Sequence, residues 1–276
     1  MASPAIDSPM TFWQKARLRA GLRWQYLRNC LFHAKREIDL TLGESRLRLS
    51  ITTRRELKRA GDFHMEAHLV NRITHLLEPD DTVFDVGANI GMISLLLATH
   101  PRGQTCRYVA FEPEPRNVAQ LERNIALNGL SDRMRACRQA LSAQPGKAAL
   151  FVRGTAGEGR HSLVAAEGSS GEVEVELTTG AAYCRETNTW PNLMKIDVEG
   201  AEGEVLAGFD TVFAEKPPRD LIMEIHDKGG RDAMPDGTPI EAFLKGHGYR
   251  CVWDHPRGSG RHLHFQHRSA EPGRYQ

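Results

Sequence analysis

Residues 83–94 read VFDVGANIGMIS, and they restrict the fold more tightly than any other stretch of this chain. An apolar strand over 82–86 carries one acid, Asp85, turns through Gly87 and Gly91, and enters an apolar helix over 90–99. A strand that passes through a tight turn into a buried helix is half of a parallel βαβ unit. The second half follows at once: a strand over 107–111, a helix over 115–128 closed by Asn128-Gly129, and a third strand over 134–139. The alternation resumes with strands at 193–198 and 220–225 and helices at 202–207 and 239–246. Such alternation predicts an α/β fold, a doubly wound and mostly parallel sheet covered on both faces. Strands over 249–253 and 262–265 close the chain. Residues 148–177 break the rhythm with two antiparallel strands around a long Gly/Ser-rich loop.

The first 61 residues form an extension of helix and hairpin ahead of a catalytic domain over 62–276. In the predicted helix from Phe12 to about Lys35, Trp13, Ala20, Trp24, Leu27 and Leu31 form one stripe, with Lys15, Arg19, Arg23 and Arg28 on the other faces. Such a stripe is expected to face the core as a lid. The alternatives are an oligomer contact or an anionic membrane surface reached from the cytoplasmic side. Residues 38–51 alternate around Gly-Glu-Ser as a hairpin, and a helix is expected over 62–77.

Residues 1–60 hold thirteen Lys/Arg against five Asp/Glu, and the remainder 23 against 30. A basic arm on an acidic body gives the catalytic portion no nucleic-acid signature. Five scattered cysteines without a CxxC pair argue against disulfides and structural zinc, and so for a cytoplasmic setting.

The turn after Asp85 reads D-x-G-x-N-x-G, not the GxGxxG of nicotinamide-binding folds. Glu112, twenty-five residues beyond Gly87, ends the second strand. A carboxylate there can accept both ribose hydroxyls of an adenosyl group. Together the two features point to a nucleoside cofactor.

DVGANIGMIS, FEPEPRNVAQLERNIALNG, QALSAQPGKAALF, MKIDVEGAE and IMEIH together resemble the FkbM family of S-adenosylmethionine (SAM) dependent methyltransferases, over about residues 62–226. The resemblance implies a Rossmann-like class I fold and methyl transfer to a hydroxyl of a sugar, a glycan or a polyketide-type product. Carried across, Asp85, Gly87, Ala88, Asn89 and Gly91 would frame the methionine portion of SAM, and Glu112 the ribose. Pro113 would shape the adenine edge, with Ala140, Leu141 and Ser142 beside the ring. One departure stands out: the family's Thr-Leu-Asp-like step reads Leu177-Thr178-Thr179-Gly180-Ala181 here.

In an open α/β sheet the ligand crevice lies beyond the carboxyl ends of the strands. Asp197 with Glu199, and Glu224 with His226, should converge there on the Gly87 turn. Asp197 and His226 are the candidate bases, Lys195 a neighbour that makes Asp197 a better orienter than base, and Glu199 and Glu224 the holders of acceptor hydroxyls. Asp197, Glu199 and Glu224 could instead bind Mg²⁺, or be neutralised by Lys195 and water. His64 and His68 read as packing residues, His161 as a possible contact from the long loop, and His262, His264 and His267 as a solvated strand face. Rival functions are nitrogen or RNA-ribose methylation on the same fold, a nicotinamide-linked oxidoreductase, and a membrane-tethered binding module without catalysis.

Overall fold

In the computed structural model, which describes residues 11–33, 36–152, 171–226, 233–257 and 260–270, helix α1 (Phe12–His33) carries two apolar rows on opposite sides. The less conspicuous one packs. Leu18, Leu22 and Tyr26 lie against the core, whereas Trp13, Trp24 and Leu31 are 77%, 67% and 76% exposed. The expected lid contact through the tryptophan stripe is therefore overturned. The reason lies in the hairpin β1 (Glu37–Leu42) and β2 (Ser45–Ser50), whose β1 edge needs polar partners. Gln25 exchanges two hydrogen bonds with Asp39, and Asn29 Nδ2 donates to Glu37 O at 2.8 Å. Those two residues share the face of Leu22, about 180° from Trp13 at ~100° per residue.

A second row of polar side chains holds the other edge of the hairpin. Gln120, Asn124 and Asn128, four residues apart on one helix face, meet Ser50 O, Ser50 N and Arg48 N, respectively. Ile38, Leu40, Leu47 and Leu49 are buried in the same cluster as Ile73, Leu96 and Leu121, so the hairpin shares the core of the main sheet.

Helix α2 (Arg54–Asp62) was not expected; the segment begins eight residues before the predicted helix over 62–77. Thr53 and Glu56 form a capping box: Glu56 N donates to Thr53 Oγ1 at 3.1 Å, and the buried Glu56 carboxylate accepts from Thr53 N at 3.4 Å and also from Thr52 N at 2.6 Å. A single 3₁₀ turn (Phe63–Glu66) then leads into α3 (Ala67–Leu76).

The alternating region follows in chain order: β3 (Thr82–Val86), α4 (Met92–Thr99), β4 (Arg107–Phe111), α5 (Pro115–Leu127) and β5 (Met134–Cys137). Strands β6 (Ala140–Leu141), β7 (Gly146–Val152) and β8 (Gly171–Thr178) make a small sheet beside it, followed by α6 (Gly180–Thr187). Then come β9 (Leu193–Ile196), α7 (Glu202–Ala207), α8 (Asp210–Glu215), β10 (Asp220–His226), α9 (Ile240–Gly246), β11 (Tyr249–Arg257) and β12 (Gly260–His267). The main sheet is ordered β11-β12-β10-β9-β3-β4-β5. The five strands from β10 to the edge strand β5 are parallel, and β12 and β11 add antiparallel at the other end. The chain winds outward from β3 to β5 and then back to β9, so β3 and β9 flank the switch point, where a crevice must open.

Because β12 lies between β10 and β11, its histidines are interior. His262, His264 and His267 are buried, which overturns the solvated face expected for them. His264 Nε2 meets Asp220 Oδ1 at 2.8 Å, and Arg219 ties Asp220 to Asp81. The long loop with His161, and the side chain of His226, lie outside the described residues.

Candidate functional site

At the end of β3 the backbone reverses through Gly87 at φ +80° and Asn89 at φ +54°, and α4 starts after Gly91 at φ +86°. Gly87 N and Ala88 N both donate to Phe111 O at 3.0 Å, which holds the turn against the tip of β4. A Cβ on Gly87 would stand 1.9 Å from Asp197 O, and one on Gly91 2.4 Å from Leu121 Cδ1. Only glycine fits either place.

Glu112, the residue after β4, is buried and faces this turn. Its carboxylate accepts from Asn89 N at 2.8 Å, Glu114 N at 3.0 Å and Asn117 Nδ2 at 3.3 Å. Burial pushes its pKa up to about 7, while these three donors favour the ionised form.

Asp85 points the other way, beneath the turn. Ser94 Oγ donates to it at 2.5 Å, and Lys195 Nζ lies 3.1 Å from its other oxygen. Lys195 also donates to Gly87 O at 3.1 Å and stands 3.5 Å from Asp197 Oδ2. Burial would lower the pKa of this lysine, yet Asp85 and Asp197 together hold it above the ordinary value. Asp85 and Lys195 are thus a buried pair supporting the site from behind.

Strand β9 ends at Ile196, although Asp197 N still donates to Val86 O at 3.0 Å. Beyond it, Glu199 at φ +56° and Gly200 at φ +106° form a turn. The turn is pinned by a residue that sequence reasoning passed over. Buried Glu202 accepts from both Val198 N and Gly200 N at 3.2 Å, and burial pushes its pKa up to about 7.

These elements line an open cleft. Gly87, Asn89, Glu112, Pro113, Asp197 and Glu199 line it, with the Asp197 carbonyl packed directly against Gly87. Ala140 and Leu141 also line it, joined by Gln139 and Leu150, which lie within the quoted motif over 139–151 but were not singled out. Arg59 of α2 reaches the rim. The Thr53-x-x-Glu56 capping signature would have announced its helix. Asp85, Ala88, Gly91 and Ser142 shape the cleft from behind without lining it. At the departing step, Thr179 is the N-cap of α6 and accepts from Ala182 N at 3.0 Å, a task for which aspartate is equally suited.

Glu224 does not join the cleft wall. It pairs in register with His262, whose Nε2 lies 3.3 Å from its carboxylate, and it receives Arg257, which also grips Glu66. Glu224 is thus engaged by Arg257 and His262 and does not line the cleft beside Asp197 and Glu199, although its charge still acts on Lys195. No group of three potential ligands forms a metal site among the described residues. His68 completes this cluster, 2.9 Å from His262 Nδ1 and stacked on His255 at 4.0 Å. Burial, and the neighbouring His255 and His262, push its pKa down to about 4.

Residues 85–251 match the family model described as the methyltransferase FkbM domain. The chain belongs to the FkbM methyltransferase family. It is 30% identical over 217 residues to the 31-O-demethyl-FK506 methyltransferase FkbM of Streptomyces tacrolimicus, covering 68% of this chain and 80% of that protein. It is 29% identical over 184 residues to the hexuronic acid methyltransferase AglP of Haloferax volcanii, covering 65% of this chain and 70% of that protein. A crystal structure of methyltransferase FkbM from Methylobacillus flagellatus aligns at TM-score 0.49 and 13% identity, over 79% of this chain and 56% of that one. This FkbM-family chain is thus a methyltransferase, and its family uses SAM. Membership sets aside the nicotinamide-linked oxidoreductase.

Proposed function

We propose that the protein transfers a methyl group from SAM to a hydroxyl of a sugar, a glycan or a polyketide-type product. The observation that carries this reading is that Asp197 lines the same cleft as the Gly87–Asn89 turn and the buried carboxylate Glu112. The residues fit the cofactor. Glu112 offers acceptor oxygens for ribose hydroxyls, and Pro113, Leu141 and Leu150 offer apolar edges for a purine.

Bound SAM supplies a sulfonium methyl, an electrophile ready for in-line displacement. What remains for the chain is to orient the acceptor, exclude water and receive a proton. Asp197 is held in place by Lys195 at 3.5 Å and by its own N–H on Val86 O. It is suited to accept the hydrogen bond of an approaching hydroxyl and then its proton. Glu199, on the adjoining turn, would hold a neighbouring hydroxyl. The two relatives support an oxygen acceptor, one by its demethyl substrate name and one by its hexuronic acid.

The test is mass spectrometry for a gain of one methyl group across uronic acids, glycosylated products and polyketide alcohols, with amines as controls. Methylation of amines alone would replace the oxygen reading. Asp197→Asn should lose about a hundredfold in turnover while still binding SAM. An unchanged rate would remove Asp197 from the chemistry.

A further inference from the structure

The outward row of α1 has no packing partner from another element among the described residues. Trp13, Trp24, Leu27 and Leu31 lie within about 40° of one line along the helix at ~100° per residue. All are exposed, and Phe12 stacks edge-on against Trp13 at 5.5 Å. A soluble surface rarely aligns so many large apolar side chains without a use for them. Arg17, Arg23 and Arg28 flank the row, are exposed, and have no carboxylate partner among the described residues. The helix contains no acidic residue. The opposite face is already spent on the hairpin through Leu22, Gln25 and Asn29.

We infer that α1 seats the protein in the surface of an anionic lipid bilayer, with Trp13, Trp24, Leu27 and Leu31 in the headgroup–acyl boundary and Arg17, Arg23 and Arg28 on acidic headgroups. Tryptophan beside leucine, edged by arginine, suits an interface that is apolar on one side and negatively charged on the other. A second copy of this chain fits less well. A symmetric contact through the same row would set cationic flanks against each other. A polyanion without an apolar phase would leave Leu27 and Leu31 uncovered. No helix among the described residues is long and apolar enough to cross a membrane, so the contact is peripheral. The inference does not depend on the methyl-transfer reading.

The experiment is co-sedimentation of the full chain with vesicles of phosphatidylcholine alone and of phosphatidylcholine mixed with phosphatidylglycerol. Binding to the anionic vesicles only is expected. The double variant Trp24→Ala/Leu31→Ala should weaken it about tenfold. Each of Arg17→Gln and Arg28→Gln should weaken it about fivefold. All these positions are exposed and none lines the cleft, so unchanged SAM binding by calorimetry verifies the fold of each variant. Three results would overturn the inference: no binding to anionic vesicles, binding that Trp24→Ala/Leu31→Ala leaves intact, or a dimer in sedimentation equilibrium that this variant dissociates. Equal retention of wild type and the double variant on duplex DNA would assign the basic flank to nucleic acid instead.

Discussion

The ammonium of Lys195 donates to the main-chain carbonyl oxygen of Gly87 at 3.1 Å, joining the acceptor strand to the cofactor turn. The same ammonium neutralises Asp85 below the turn and reaches Asp197 in the cleft wall. One cation therefore fixes both sides of the site relative to each other. Lys195→Met should leave Asp85 buried without its counter-charge and cost about 3 kcal/mol of stability. Urea unfolding measures the loss. Adding Asp85→Asn should recover part of it, because the buried charge is then gone.

Gly87→Ala should do more harm than one added methyl group suggests. The position needs φ +80°, and the new Cβ would stand 1.9 Å from Asp197 O. Gly129 is the internal control, with φ +64° and nothing within 4 Å of a Cβ. Gly129→Ala should cost only about 1–2 kcal/mol, the conformational penalty alone. Gly87→Ala should cost more than that and abolish SAM binding in calorimetry.

Glu112 should make cofactor affinity depend on pH. Its pKa is pushed up by burial to about 7 from an ordinary 4.5, so the folded free protein holds this proton more tightly than the unfolded chain does. Its contribution to stability is full below about pH 4.5 and is lost as pH rises through about 7. Ribose hydroxyls favour the ionised carboxylate, so SAM affinity should rise as pH climbs from 5 to about 7 and then level off. Glu112→Gln should bind more weakly and flatten the profile. A rise that persists in Glu112→Gln would assign the effect elsewhere, with Glu202, also raised to about 7, the next group to test.

Chelation should leave SAM binding and turnover unchanged. Glu224 is engaged by Arg257 and His262, so Asp197 and Glu199 lack the third carboxylate that an oxygen-ligand site would need. Arg257→Leu should act on stability, by leaving Glu66 and Glu224 facing each other, and a urea melt beside a kinetic assay separates the two effects.

The glycine turn and Glu112 were legible in the sequence because local rules place them: a strand, a tight turn and an acid at the next strand tip. Glu224 was not, because its neighbours come from β11 and β12, strands added antiparallel far along the chain. Their register puts His262 opposite Glu224, and no periodicity in residues 220–225 announces that pairing. Helix α1 misled for a different reason. It has two apolar rows, and the hairpin's need for Gln25 and Asn29, a tertiary matter, decides which one docks. The site-facing side of residues 194–202 turned on a backbone detail. The strand stops at Ile196, so Asp197 enters the wall while Glu202, further on, folds back to hold the turn.

Titration calorimetry with SAM on the wild type and on Glu112→Ala tests most directly that this cleft holds the cofactor. The expected result is one SAM per chain for the wild type, at least a tenfold weaker affinity for Glu112→Ala, and no heat with NAD. Equal SAM affinity in both proteins, or binding of NAD without SAM, would contradict it.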